Sequence, residues 1–590
     1  MFWDKIVAWL HAIRLKYVEK KAYVIFVSII IGIFSALAAV MLKNIVYYIK
    51  ILLQYDWGIS YLSILYFIYP LVGIFIVYIY LRVFHDGHIN KEIGYLIYKL
   101  SRNENDLPRR QIYAHLITSG TTVGFGGSVG LEAPIVLSGS SIGSAISKYF
   151  RVNLTDRNLL IACGAAGGIS AIFNAPIAAT IFAFEVLLPS MAVSAFVPLL
   201  ISSATASIFS NLLFAEKPFV LITNAWEVND LTFYIVFGVL CGLLASYMIK
   251  MSYWIGRMIF RNIKSQVSRL IIGSILLGSM IFIFPALYGE GYDMVNALFV
   301  NNVNLVIISP LFQSLPTNTW IILIAITIIL LIKVIATSLT LGAGGNGGIF
   351  APSLFTGAFA GYAFATIINL TGVAHVNAIC FMAVGMAGVF SGVLKAPMTA
   401  IFLIAEVTGG YSLFLPLMIV SALSYFIARY IEPHSVYTKM LAEDKKWDHE
   451  KIDSVMLQRL SIKDLIETNF TCITIDDSLF SIREKVFSSS HKFFPVVDKD
   501  LHLTGIVHFN DIKNFFLNKH EEDFGWEMLI KPVKDKIEIN DSVEEALKKL
   551  ENVGAWNLPV TDNGIYKGFL FRSRILDSYR QHVIQQRTMF

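Results

Sequence analysis

The sequence predicts an all-helical, multi-pass membrane domain built from two copies of one broken-helix unit, followed by a small α/β domain. Three observations carry this. The 590 residues are 56% hydrophobic and only 15% charged, with a mean hydropathy of +0.63, a balance that soluble globular chains do not show. The glycine-rich stretch Gly127-Ser-Val-Gly-Leu-Glu-Ala-Pro134 recurs as Gly345-Asn-Gly-Gly-Ile-Phe-Ala-Pro352 at an offset of 218, and the register continues through Gly139/Gly357, Gly143/Gly361 and Ala145/Ala363. After about Met440 the apolar pattern gives way to Lys445, Lys446, Asp448, Glu450 and Lys451.

In chain order, residues 1–21 hold Lys5, Arg14, Lys16 and Lys20 among aromatics without a small-residue cleavage site. They read as an interfacial amphipathic helix with a cytoplasmic N-terminus rather than a signal peptide. Ala22–Val40 and Tyr61–Tyr80 are each long enough to cross roughly 30 Å of hydrocarbon. From Ile112 to Leu188, glycine and small residues cut the apolar sequence into pieces unlike simple spans. Broken backbone at membrane depth requires a surrounding of protein or a water-filled cavity.

A second internal match supports the duplication. Ala165–Val186, containing Phe173-Asn-Ala-Pro-Ile-Ala-Ala, pairs with Met386–Val407, containing Leu394-Lys-Ala-Pro-Met-Thr-Ala, at an offset of 221, so that Gly167/Gly388, Ser170/Ser391, Pro176/Pro397 and Glu185/Glu406 correspond. Residues of about 80–210 and 300–430 are therefore copies of one unit within a membrane domain at 22–440, and interrupted apolar segments at matching places in two halves mark a transport site at their interface.

The first copy places one carboxylate, Glu132, in the glycine-rich break. An acid at membrane depth is a functional residue by default. Pro134 suits the first turn of a helix, which leaves the amides of Gly130, Leu131, Glu132 and Ala133 without intrahelical partners, and free amides at a positive helix end bind anions. The other reading of Glu132 is a carboxylate capping its own helix.

The tail at 441–590 is itself duplicated. Ile475-Asp-Asp-Ser-Leu with Phe494-Pro-Val-Val-Asp498 matches Ile539-Asn-Asp-Ser-Val with Leu558-Pro-Val-Thr-Asp562 at an offset of 64, each copy reading as strand, helix, strand, glycine turn and strand. The modules are expected at about 452–520 and 526–590.

Other classes are excluded on similar grounds. Cys163, Cys241, Cys380 and Cys472 stand far apart, which suggests neither a metal site nor a disulfide framework. Gly124-Phe-Gly-Gly and Gly342-Ala-Gly-Gly follow no strand of a βαβ unit, so no dinucleotide enzyme is indicated. A net charge of +5, gathered outside the apolar segments, points to membrane orientation and not to nucleic acid.

These blocks resemble the CLC family of chloride channels and proton-coupled chloride exchangers, from about Ala22 to Leu441. Gly130-Leu-Glu-Ala-Pro134 looks like the family's Gly-Lys/Arg-Glu-Gly-Pro motif, with Leu131 and Ala133 as departures, and Gly348-Ile-Phe-Ala-Pro352 matches its Gly-x-Phe-x-Pro motif. Tyr437 falls where the family has its pore tyrosine. The resemblance implies two inverted repeats, a voltage-gated or proton-coupled chloride pathway gated by Glu132, anion contacts from the backbone at Gly130, Leu131, Ala133, Gly348, Ile349, Phe350 and Ala351 and from the Tyr437 hydroxyl, and a homodimer in lipid. The family's Gly-Ser-Gly-Ile-Pro loop falls on Asp86-Gly-His-Ile-Asn90, where the Gly87 amide would replace the missing hydroxyl, or His85 or His88 would donate. His115 stands where some relatives carry a lysine, either adding positive charge near the pathway or as a satisfied buried histidine.

Exchangers of this family carry an internal glutamate directly after the position of Glu185, and here that position is Val186. A passive channel is therefore expected, with a proton-coupled antiporter as the alternative and a membrane sensor signalling through its tail as a remote one. Glu185 and Glu406 are expected to be structural. The tail resembles a tandem pair of cystathionine-β-synthase (CBS) modules, which implies a cytoplasmic location. Gly505-Ile-Val-His-Phe-Asn-Asp511 keeps the family's ribose-binding Asp at Asp511, whereas Gly568-Phe-Leu-Phe-Arg-Ser-Arg574 does not; adenine nucleotide at Asp511 and a purely structural pair both remain open. No cofactor or metal is required.

Overall fold

Hydrocarbon offers no partner to a backbone N–H or C=O, and a helix satisfies all of them within one segment. The apolar runs accordingly form helices in the computed structural model, which describes residues 19–54, 62–87, 89–102, 105–188, 195–214, 226–306, 318–439, 442, 461–517 and 525–578. The interfacial helix expected over 1–21 and His88 fall outside the described residues, except that Lys20 and Lys21 open the first helix. Among the described residues, eight helices are long and apolar enough to cross a membrane. The chain divides into two compact units, Met1–Trp447 and Asp448–Phe590.

In the first unit, α1 (Lys20–Gln54) and α2 (Leu62–Phe84) come first. With 35 residues, α1 runs about 52 Å and exceeds the hydrocarbon thickness of about 30 Å, where the sequence indicated a span only over Ala22–Val40. The first repeat then contains α3 (Ile93–Ser101), α4 (Arg110–Gly124), α5 (Glu132–Tyr149), α6 (Leu154–Phe173), α7 (Pro176–Phe182) with one π turn at Ala183–Leu187, and α8 (Phe196–Leu213). A connecting set, α9 (Leu231–Asn262), α10 (Gln266–Ile283) and α11 (Tyr292–Phe299), leads to the second repeat. There α12 (Thr319–Gly342), α13 (Phe350–Thr371), α14 (Ala378–Leu394), α15 (Pro397–Val407) and α16 (Phe414–Ile431) correspond to α4 through α8.

The breaks recur with the same backbone geometry. Helix α6 ends at Asn174 (φ 54°) and α14 at Lys395 (φ 61°), left-handed residues that stop a helix. In both repeats Ala-Pro then opens the next helix, with Pro176 and Pro397 at the first turn, where a missing N–H costs nothing.

Close helix crossings recur too. A Cβ on Gly139 of α5 would stand 2.1 Å from the Gly164 carbonyl oxygen of α6, and one on Gly164 1.9 Å from that of Gly139. Gly357 of α13 and Gly385 of α14 meet the same way, at 2.2 and 2.3 Å. Backbone against backbone leaves no room for a methyl group, as in small-residue helix crossings of membrane proteins.

The second unit repeats one small motif. Strand β1 (Ile473–Thr474), helix α17 (Leu479–Ser488), strands β2 (Phe493–Val497) and β3 (Leu503–His508) and helix α18 (Phe509–Leu517) are followed by β4 (Ile537–Glu538), α19 (Val543–Val553), β5 (Asn557–Asp562) and β6 (Ile565–Phe571). In each sheet the first pair is parallel and the second antiparallel. The bulge between Val496 and Val497 recurs between Val560 and Thr561, and Ser478 and Ser542 cap the two helices. The cores exchange flanking segments: Ile462 and Leu465, which precede β1, pack with Ile537 and Val560 of the second module, whereas Trp526 packs with Ile473 and Phe494 of the first. The interval at 520–526 is therefore not a division between independent cores.

The crossing geometry makes a prediction. Gly164→Ala should destabilise the protein by about 1–3 kcal/mol through overpacking, read as a lower thermal midpoint in detergent. Gly256→Ala, where nothing lies within 4 Å of the added methyl, should leave it unchanged or raise it.

Candidate functional site

The two glycine-rich breaks meet. Gly130 N–H donates to the Gly348 carbonyl oxygen at 2.9 Å, and Gly348 N–H to that of Gly130 at 2.8 Å, a reciprocal antiparallel bridge between equivalent residues of the two repeats. Helices α5 and α13 begin on either side of it. Their first intrahelical bonds are Ile135 N–H to Leu131 and Ser353 N–H to Ile349, so the amides of Leu131, Glu132 and Ala133 in one repeat, and of Ile349, Phe350 and Ala351 in the other, have no acceptor within their own helices. Two positive helix ends thus face one spot.

Glu132 fills that spot and is wholly buried. Its side chain folds back against Gly130, where an added Cβ would lie 1.9 Å from Glu132 Oε2 and 2.8 Å from Ala351 Cβ. The Tyr292 hydroxyl donates to Oε1 at 2.5 Å, and the Glu132 and Ala351 amides face the carboxylate. Glycine at 130 leaves room for the folded-back acid and for Ala351 Cβ. Tyr437 lies within electrostatic range of Glu132, and its buried hydroxyl has no hydrogen-bond partner within the protein among the described residues. Ala133 Cβ packs where a Cβ on Gly348 would stand, at 2.8 Å. The Phe350 ring is core packing, stacked on Phe173 at 5.3 Å and edge-on to Phe390 at 4.4 Å, so only its backbone faces the site.

Two expectations change. The Gly87 amide, expected to face an anion, donates to the Leu81 carbonyl oxygen at 2.9 Å with φ 81°. It reaches back six residues to close the end of α2 and is occupied there. The loop is fastened instead by Lys91, whose ammonium donates to the carbonyl oxygens of Gly344 and Gly345 at 2.6 and 3.3 Å. His115 is buried with Nδ1 3.2 Å from Asn346 Nδ2, and the same amide nitrogen donates to Thr118 Oγ1 at 2.7 Å. With that amide donating, the ring accepts and is neutral, which fits the buried-histidine reading rather than an added positive charge.

Glu185 and Glu406 exchange caps between the repeats. Glu406 accepts from the amides of Ile177 and Ala178 at 3.0 and 2.8 Å. Glu185 accepts from those of Met398 and Thr399 at 3.2 and 2.9 Å and from the Thr399 hydroxyl at 2.7 Å. Each carboxylate closes the positive end of the other repeat's Pro-started helix. Val186 follows Glu185 in the π turn and offers no titratable group.

Sequence reasoning missed the groups behind Glu132. Tyr292 and Glu290 stand in Gly289-Glu-Gly-Tyr292, with Gly289 at φ 60° and Gly291 at φ 90°. The Leu131 amide faces the Glu290 carboxylate. Lys333, 0% exposed, donates to the carbonyl oxygens of Leu287 and Gly289 at 3.3 and 2.9 Å. Lys333 was detectable as the lone charge between Thr319 and Gly342, but its partner was not.

In the tail, Asp511 Oδ2 lies 2.6 Å from Lys531 Nζ, so the carboxylate of the ribose motif is already paired. Arg574 pairs with Glu467 at 2.8 Å.

Broken helices whose starts converge on one point inside a membrane domain define an integral membrane anion-transport protein. Residues 72–429 match the voltage gated chloride channel family and residues 462–518 the CBS domain. The chain belongs to this CLC family and carries a C-terminal CBS region. It is 30% identical over 351 residues, 58% of this chain and 76% of the other, to a putative chloride channel protein ClcB-like of Ralstonia nicotianae. To the H(+)/Cl(-) exchange transporter ClcA of Vibrio campbellii it is 30% identical over 336 residues, 55% and 68% of the two chains. Its fold is similar to that of a slow cyanobacterial Cl-/H+ antiporter (TM-score 0.59, 21% identity, 71% of this chain and 96% of the other) and of a eukaryotic CLC transporter (TM-score 0.59, 16% identity, 93% and 97%).

The exchanged caps make a second prediction. Glu406→Gln turns one of two acceptor oxygens into a donor facing an amide, and should cost about 1–3 kcal/mol, seen as a lower thermal midpoint. Glu185→Gln should behave alike.

Proposed function

We propose that the protein exchanges chloride for protons across the membrane, with Glu132 as the group that couples them. The observation that carries this is the place of the Glu132 carboxylate, sealed between two helix starts whose free amides suit an anion. An ionised Glu132 and a chloride ion compete for that positive spot. A protonated Glu132 has no claim on it and leaves it to chloride, so anion entry and proton uptake are linked at one residue. The kinship to the Vibrio exchange transporter supports this reading over the passive channel expected from Val186, since a carboxylate at 186 is only one way to deliver a proton to Glu132.

Chloride is held by the amides of Ile349 and Phe350 with the Tyr437 hydroxyl, and next to Glu132 by those of Leu131, Ala133 and Ala351. The protein works as a homodimer in lipid, with the N-terminus and the CBS region in the cytoplasm. The Asp511–Lys531 pair favours a structural CBS region over a nucleotide sensor: a ribose hydroxyl would have to displace a charge-assisted contact.

Reversal potentials of the purified protein in liposomes test the main reading. Under a fixed chloride gradient, an added pH gradient should shift the wild-type potential away from the chloride equilibrium value. Glu132→Gln, a permanent mimic of the neutral acid, should remove that shift and flatten the pH dependence of chloride flux while flux persists. A wild-type potential fixed at chloride equilibrium would return the protein to the channel class. For the tail, ATP added to the full chain should leave the thermal midpoint unchanged. A rise that grows with ATP and is lost in Asp511→Ala would restore the nucleotide site.

A further inference from the structure

Behind Glu132, on the side of Tyr292, charges have been assembled that anion binding does not need. Gly289 and Gly291 adopt left-handed backbone on both sides of Glu290. A Cβ on Gly291 would stand 2.5 Å from the Phe355 ring and 3.4 Å from Lys333 Nζ, so the turn is pressed onto the second repeat. The turn points Glu290 at the start of α5, where the Leu131 amide faces it. An amide without an intrahelical partner thus has a second carboxylate beside it.

Glu290 lies within electrostatic range of Glu132, and Lys333 within range of Glu290. The charges around the pair come from four elements. Glu132 opens α5; Tyr292 and Asp293 open α11; Lys333 is on α12; and Lys50 on α1 pairs with Asp293 at 3.2 Å. The Tyr437 hydroxyl also lies within electrostatic range of Glu132.

Counting charge decides what this assembly holds. Lys50 and Asp293 cancel at the rim, where the Asp293 side chain is 79% exposed. Further in stand two carboxylates and the single ammonium of Lys333, which finds carbonyl oxygens and the face of Phe355, 4.8 Å away, around it. One proton makes the set neutral, and an uncompensated buried charge is costly. Two like charges at close range share one proton more readily than they both ionise. Glu132 is sealed and Glu290 is only partly buried as a residue, so of the two carboxyls Glu290 is the nearer to solvent.

We infer that Glu290 is a second proton-carrying residue, which shares one proton with Glu132 and passes it between the gate and solvent, while Lys333 is the neighbouring cation that balances the pair. In the step itself the O–H bond of the Glu290 carboxyl breaks, that of the Glu132 carboxyl forms, and the negative charge moves from Glu132 to Glu290. Neutral Glu132 then gives up the helix-start amides to an anion. The inference rests on the exchange reading, and it supplies a proton branch between Glu132 and the Lys50–Asp293 side of the membrane unit.

The test uses the full chain in liposomes, with chloride and proton fluxes recorded separately for wild type, Glu290→Gln and Glu290→Asp. Glu290→Gln should lower the proton flux at least tenfold, keep chloride flux within about threefold of wild type, and change the pH profile of chloride flux. Glu290→Asp should recover most of the proton flux. Equal proton flux and an equal pH profile in wild type and Glu290→Gln would overturn the role of Glu290 while leaving exchange intact. Loss of both fluxes in both variants, in protein of wild-type thermal midpoint, would make Glu290 a positioning residue only. If Glu290→Gln does not fold, Glu290→Asp decides: proton flux retained with a shifted pH profile upholds the inference, and wild-type pH dependence overturns it. Wild type with no proton flux would remove exchange and the shared proton together.

Discussion

The reciprocal hydrogen bonds between Gly130 and Gly348 are the contact on which the membrane unit turns. Each is the last extended residue before a helix start, and each supplies both the donor and the acceptor that the other needs. A side chain at either place would push the two backbones apart, because Gly130 is backed by the Glu132 carboxylate and Gly348 by Ala133. Once the bridge is made, α5 and α13 begin at nearly the same point, and their unpaired amides converge without any side chain having to hold a charge there. The glycine crossings of α5 on α6 and of α13 on α14 then fix the directions of the helices that leave the bridge.

The same economy of duplicated parts explains the second layer. Glu185 and Glu406 are equivalent residues, and each binds the start of the other repeat's Pro-opened helix. Two carboxylates that look like candidates for proton chemistry are in this way consumed by the backbone. Each carboxyl bound to two amides holds the halves in register. That leaves Glu132, with Oε2 unpartnered, as the acid of the duplicated motifs whose ionised form is not fixed by the fold.

Much of this was legible in the sequence because duplication converts local patterns into long-range statements. The offsets of 218 and 221 aligned the breaks, and Pro134, Pro176, Pro352 and Pro397 marked helix starts through backbone chemistry alone. What escaped was whatever depended on contacts between parts that are not equivalent. Gly87 looked like a substitute anion donor, but a glycine after a helix also stops it, and the Leu81 carbonyl claimed its amide. Lys333 could be flagged as a charge in an apolar helix, yet its neighbour Glu290 stands in the connecting segment, outside both repeats. Tyr292, 160 residues from Glu132, had no pattern at all. The tail shows the same limit: the 64-residue offset identified both modules, but not that Ile462 and Trp526 pack into each other's module.

Val186 weighed toward a channel because the sequence was read as though a proton needs one fixed entry. Proton coupling requires something less specific: a gate whose charge must be neutralised before an anion takes its place, and a route by which that proton exchanges with solvent. Glu132 has the first property through its position between the helix starts. The second needs a protonatable group near the gate, the role inferred for Glu290 with Lys333 beside it. A hydrophobic residue at 186 closes one approach to the gate without altering the competition at Glu132 itself. In the exchange reading, coupling is set at the point where amides, carboxylate and anion meet, and the residues around that point set how the proton reaches it.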